Sequence, residues 1–118
     1  MNESILAVDD NERLLKSLTF LLGREGFRVI TATNGRDAQR LLASERPSLV
    51  LLDMTLPDVS GAALLKDIRR VSGVPVIVLS ALVEVERSVG KAAAVQFVAK
   101  PFDPAELIAK VKQALRSA

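Results

Sequence analysis

Two adjacent acids, Asp9 and Asp10, a third at Asp53, a hydroxyl at Ser80 and the pair Lys100-Pro101 each follow a short apolar run. Ile5-Leu6-Ala7-Val8 leads into the acidic pair, and Leu49-Val50-Leu51-Leu52 into Asp53. Val76-Ile77-Val78-Leu79 leads into Ser80, and Gln96-Phe97-Val98-Ala99 into Lys100. If those runs are neighbouring parallel strands, three carboxylates, a hydroxyl and an ammonium converge at one sheet edge. Such a set suits a divalent cation and a phosphoryl group.

Each piece also has a plainer reading. An acid near a helix start is often a cap, but one acid suffices for that. Two adjacent carboxylates repel unless water or a cation lies between them, and hard oxygen donors suit magnesium or manganese better than zinc. Asp53 could be a turn residue. Its following stretch, Met54-Thr55-Leu56-Pro57-Asp58-Val59-Ser60-Gly61, has a proline and a glycine that would stiffen a loop rimming the site. A carboxylate there can attack phosphorus if a cation offsets the charge. Ser80 reads as a turn residue or as a hydroxyl donating to a phosphoryl oxygen. Lys100 reads as a solvated charge or as a partner for Asp53 or a phosphate. Pro101 restricts the lysine's backbone, and the Lys-Pro bond could take the cis form.

The elements that must position these groups are legible in the apolar spacing. Strands are expected over 4–8, 27–31, 49–52, 76–79 and 96–99. Helices are expected over 11–24, 35–45, 62–71 and 83–93, and from Asp103 to the end. Leu14, Leu15, Leu18, Leu21 and Leu22 recur at helical spacing, as do Ala38, Leu41 and Leu42, and Leu64, Leu65 and Ile68. Gly26 and Pro47 stop the first two helices. The helix over 83–93 is weak, because Val83, Val85, Val89 and Gly90 are poor formers. The last begins on Asp103, with Pro104 at its first position and Glu106 where a capping box needs it. Alternating strands and helices imply an α/β fold: a doubly wound, five-stranded parallel sheet with helices on both faces. Its ligand site lies beyond the strand carboxyl ends.

Composition narrows the function. The 118 residues fit one domain, and 49% hydrophobic with 25% charged residues is an ordinary globular balance. No cysteine and no histidine are present, which removes thiol chemistry, the usual general base and a phosphohistidine within the chain. A net charge of +2, with basic residues scattered, gives no footprint for nucleic acid. No leader is evident before the first strand and no apolar run spans a bilayer, so no membrane association and a cytoplasmic location are the expectation.

Taken together, these motifs resemble the receiver domain of two-component response regulators, a flavodoxin-like fold, over essentially all of residues 1–118. The acidic pair matches Asp9 and Asp10, the phosphoacceptor Asp53, the switch hydroxyl Ser80 followed by Ala81, and the Lys-Pro-Phe signature Lys100, Pro101 and Phe102. The resemblance implies strand order 2-1-3-4-5 and a cis-proline at Pro101. It implies Mg2+ (or Mn2+) held by Asp10, Asp53 and the Thr55 backbone carbonyl, with Asp9 acting through water. The implied partner is a sensor histidine kinase or phosphotransfer protein, whose phosphohistidine donates to Asp53. Lys100 then shares the new charge, Ser80 moves inward, and the switch aromatic Phe97 follows. The face formed by the fourth helix, fifth strand and fifth helix then changes its partner affinity, with a homodimer through that face one outcome. The chain is expected to catalyse only its own phosphorylation and dephosphorylation, not substrate turnover.

Some features depart from the family pattern. Ala93-Ala94-Val95 replaces the usual Gly-Ala-Asp, and the stretch 83–96 is short, so a short, shifted or partly unwound fourth helix is expected. Leu82, apolar beside the phosphoryl position, should limit the attacking water. An aspartyl phosphatase of the haloacid-dehalogenase type is disfavoured: its second acid, two residues after the nucleophile, is Thr55 here. Phosphate-binding glycine loops are absent, since the first loop reads Asp9-Asp10-Asn11-Glu12.

Overall fold

A computed structural model describes residues 3–54, 56–80, 96–100 and 102–117, with the side chains of Ser80 and Ser117 left out. Its strands are β1 (Ser4–Val8), β2 (Arg28–Ala32), β3 (Leu49–Asp53), β4 (Val76–Ser80) and β5 (Gln96–Ala99). Its helices are α1 (Glu12–Gly23), α2 (Gly35–Glu45), α3 (Gly61–Val71) and α4 (Pro104–Ser117). All strand pairs are parallel, in the order β2-β1-β3-β4-β5. The expected fold class and strand order are observed. The helix expected over 83–93 lies outside the described residues.

Alternation along the central strands builds two cores. Leu6, Val8, Val50, Leu52, Val76 and Val78 pack on one face with Ala38 and Leu42 of α2 and Leu64, Leu65 and Ile68 of α3. Ile5, Ala7, Leu49, Leu51, Ile77, Leu79 and Val98 pack on the other with Leu15, Leu18 and Leu22 of α1 and Leu107, Val111 and Ala114 of α4. Central strands buried on both sides must be apolar along their covered length, and β1 is from Ile5 to Val8 and β3 from Leu49 to Leu52. The edge strands β2 and β5 are only partly covered.

Each described helix starts on a side chain that accepts a backbone N–H. Asn11 takes those of Arg13 (3.0 Å) and Leu14 (3.2 Å), and Asn34 that of Asp37 (2.8 Å). Ser60 takes that of Ala63 (3.1 Å), and Asp103 that of Ala105 (3.1 Å). The first helix is thus capped by Asn11, not by the preceding acids. Other boundaries shift by one residue for local reasons. The Phe27 N–H still reaches back to the Leu22 carbonyl (3.2 Å) around Gly26 at φ 92°, so β2 starts at Arg28. Asp53 pairs with Leu79 and Ser80 with Ala99, so the ladders carry both polar residues inside their strands.

Candidate functional site

The site forms where the chain reverses its direction of travel across the sheet, between β1 and β3. Val8 is in register with Leu52, so Asp9 and Asp53 leave adjacent strands side by side. Both are buried, at 1% and 7% exposure, whereas Asp10 is exposed. One carboxylate oxygen from each of Asp9, Asp10 and Asp53 lies within 4.8 Å of the others. Oxygens on opposite sides of a magnesium ion stand about 4.2 Å apart, twice the ~2.1 Å bond. The donor set and its spread therefore fit a small hard cation.

Lys100 enters from β5. Its Nζ donates to Asp9 Oδ2 at 2.9 Å and to Asp53 Oδ1 at 3.0 Å. Burial alone would lower the ammonium's pKa, but the hydrogen bonds and negative charges of Asp9 and Asp53 outweigh it and hold the pKa above the ordinary lysine value. Asp9 Oδ1 accepts the Asn11 N–H at 2.9 Å. Both Asp9 oxygens are thus engaged by the protein. Against three carboxylates the described site sets one ammonium, which leaves a deficit of positive charge for a divalent ion to fill.

The structure brings Asp9, Asp10, Asp53 and Lys100 into one cluster. Ser80 ends β4 next to Ala99, at the same sheet edge, although its side chain is not described. Phe97 is half-buried against the core on the α2 and α3 side, in register with Val78, and its carbonyl accepts from Lys110 Nζ at 3.0 Å. Thr55, Ala81, Leu82 and Pro101 lie outside the described residues.

One residue of the site's surroundings escaped the sequence reading. Asp58 sits in the loop between β3 and α3, and its carboxylate accepts the Gly35 N–H at 2.8 Å and the Arg36 N–H at 3.0 Å. The only hint in the sequence is an acid after Pro57 and an Asn-Gly helix start 23 positions earlier, and nothing local connects the two.

A family model described as "Response regulator receiver domain" matches residues 5–112. The chain belongs to the response regulator receiver family. This receiver is 45% identical, over 95% of its length, to the Transcriptional regulatory protein CpxR homolog of Haemophilus influenzae, covering 50% of that protein. It is 42% identical to the Probable transcriptional regulator ycf27 of Porphyra purpurea over 98% of its length, and 49% of that protein. It therefore spans about half the length of these curated relatives. Among solved structures, the BeF3-activated N-terminal receiver domain of Klebsiella pneumoniae RstA matches with TM-score 0.91 and 28% identity, over 97% of this chain and 99% of that one. A two-component response regulator from Clostridium difficile matches at TM-score 0.92 and 26% identity, over 98% of this chain and 97% of that one.

Proposed function

We propose that this receiver is a phosphorylation-activated switch that takes a phosphoryl group onto Asp53 from a partner kinase's phosphohistidine. The observation that carries this reading is the Lys100 ammonium held between Asp9 and Asp53 beside Asp10. An Asp53 oxygen attacks phosphorus in line, and the phosphorus–nitrogen bond to the histidine breaks. The histidine nitrogen leaves with the bonding electrons, and the product is an acyl phosphate. Lys100 already lies on Asp53 and can follow the charge onto the phosphoryl oxygens. Asp10 and Asp53, with Asp9 through water and the Thr55 carbonyl, would hold Mg2+ (or Mn2+). When bound, that ion would supply positive charge to offset the charge on the transferring group.

Positioning and charge neutralisation account for the chemistry, so we read the domain as a binding switch and not a turnover enzyme. Ser80 and Phe97 would carry the change toward the face that includes β5 and α4, where a partner or a second copy binds. No helix of the described residues is long and apolar enough to cross a membrane, and we read the domain as cytoplasmic. Contact with nucleic acid is assigned to no residue of this chain. The test is intact mass after incubation with acetyl phosphate and Mg2+. A single phosphate adduct, absent from Asp53→Ala, is expected. No adduct on the wild type, or an undiminished one on Asp53→Ala, overturns the reading.

A further inference from the structure

The loop that leaves the acceptor is fastened at two places. At its far end, the Gly61 N–H donates to the Met54 carbonyl at 3.0 Å. A Cβ on Gly61 would lie 2.5 Å from Met54 Cα and 2.9 Å from the Asp53 carbonyl oxygen. The two ends of the 54–61 loop are therefore in direct contact, and only glycine fits. At its outer edge, the Asp58 carboxylate spans the first two N–H groups of α2, those of Gly35 and Arg36. Val59 lies flush on the same spot, and a Cβ on Gly35 would collide with Val59 Cγ1.

These amides are ones that a helix cannot satisfy internally, and the positive end of the helix dipole favours a carboxylate there. Asn34 already caps α2 through the Asp37 N–H at 2.8 Å. The helix thus has its own cap, and the bonds from Asp58 chiefly restrain the loop. The loop's first neighbour is Asp53, whose oxygen must stay within reach of Asp9, Asp10 and Lys100.

We propose that Asp58 is a positioning residue for the acidic site: by tying the 54–61 loop to the amino end of α2, it holds the acceptor's backbone where Asp53 and Asp10 share one cation. This inference rests on the switch reading above. It predicts that loss of the tie weakens Mg2+ binding without removing the chemistry, because a looser acceptor backbone holds the two carboxylates at cation distance for less of the time.

The experiment compares wild type, Asp58→Ala, Asp58→Asn and Asn34→Ala. Mg2+ affinity is read by calorimetry, acetyl phosphate labelling is followed across a Mg2+ titration, and amide hydrogen exchange is measured without metal. Asp58→Ala should bind Mg2+ about tenfold more weakly, and its labelling rate should recover at saturating Mg2+. The amides of Gly35, Arg36 and Gly61 should exchange faster. Asp58→Asn, whose amide oxygen can still accept one bond, should fall between. Asn34→Ala should lower thermal stability while leaving Mg2+ affinity unchanged. An Asp58→Ala protein with wild-type Mg2+ affinity overturns the proposal. So does an Asn34→Ala protein that loses as much affinity, because helix stability alone would then explain the effect. If Asp58→Ala does not fold, Asp58→Asn decides by the same criteria. Failure of the wild type to be labelled at all would instead sink the switch reading, and the two failures are therefore distinguishable.

Discussion

The Lys100 ammonium lies 3.0 Å from an Asp53 carboxylate oxygen and 2.9 Å from Asp9, joining β5 to β3 and β1 across the head of the sheet. This contact holds two buried acids together. A divalent ion at the acidic cluster would compete with the lysine to neutralise the same two carboxylates.

Replacing Lys100 by methionine should therefore act in two directions. Without metal, the buried acids lose the ammonium, and stability should fall by about 2 kcal/mol, between the ~1 kcal/mol of an exposed pair and the ~3–5 kcal/mol of a buried one. With millimolar Mg2+ the loss should shrink, because without the competing ammonium the ion binds the variant more tightly than the wild type, and binding to the folded state alone adds stability by mass action. Thermal unfolding with and without Mg2+ checks this. A deficit that Mg2+ leaves untouched would contradict the competition.

Asp10 is the exposed member of the cluster and has little to lose on folding. Asp10→Asn should leave the unfolding midpoint almost unchanged while weakening Mg2+ by about tenfold or more, the scale found even for outer partners of metal ligands. Calorimetric titration separates the two effects.

The pH dependence follows from Asp58. The hydrogen bond from the Gly35 N–H, opposed in part by desolvation and reinforced by the Arg36 N–H, holds its carboxyl below the ordinary carboxylate value of 3.8. A lowered folded pKa contributes stability that is fully present above the unfolded value and lost as pH falls through the folded one. The stability gap between wild type and Asp58→Asn should accordingly be constant at neutral pH and close as pH drops below 3.8. Urea midpoints measured across the acid range would show it. A gap that widens on acidification would contradict the assignment.

Two glycines should respond oppositely to alanine. At Gly23, in α1, nothing lies within 4 Å of an added Cβ, so Gly23→Ala should stabilise by about 0.5 kcal/mol through reduced backbone freedom in the unfolded chain. At Gly61 the added carbon meets the Met54 backbone. Gly61→Ala should cost about 1–3 kcal/mol and slow the labelling of Asp53. Chemical denaturation of the pair gives the sign of each.

Much of the fold could be read from the chain because burial on two sides leaves a strand no alternative but continuous apolar residues. β1 and β3 announce themselves in that way, and the acids that follow them mark the sheet's carboxyl edge. The edge strand β2 starts one position later than its apolar pattern suggests, because nothing in the sequence marks Phe27 as bonded back to Leu22. The acidic cluster is legible because its members sit at or just beyond strand ends, whereas the double engagement of Lys100 is not, since the sequence points equally to Asp53 and to a phosphate as its partner. Asp58 was illegible for a related reason. Its partners Gly35 and Arg36 are backbone amides, and a backbone amide carries no signature in a sequence.

Ile5, Leu6 and Ala7 have no accessible surface, Leu49 to Leu52 have none either, and Val8 has 1%. A floor packed that densely is close to incompressible. An extra group arriving at Asp53 can find no room beneath it. On the switch reading, atoms displaced by a new charge would move sideways along the rim, through loops and strand ends, and a signal would leave by the perimeter.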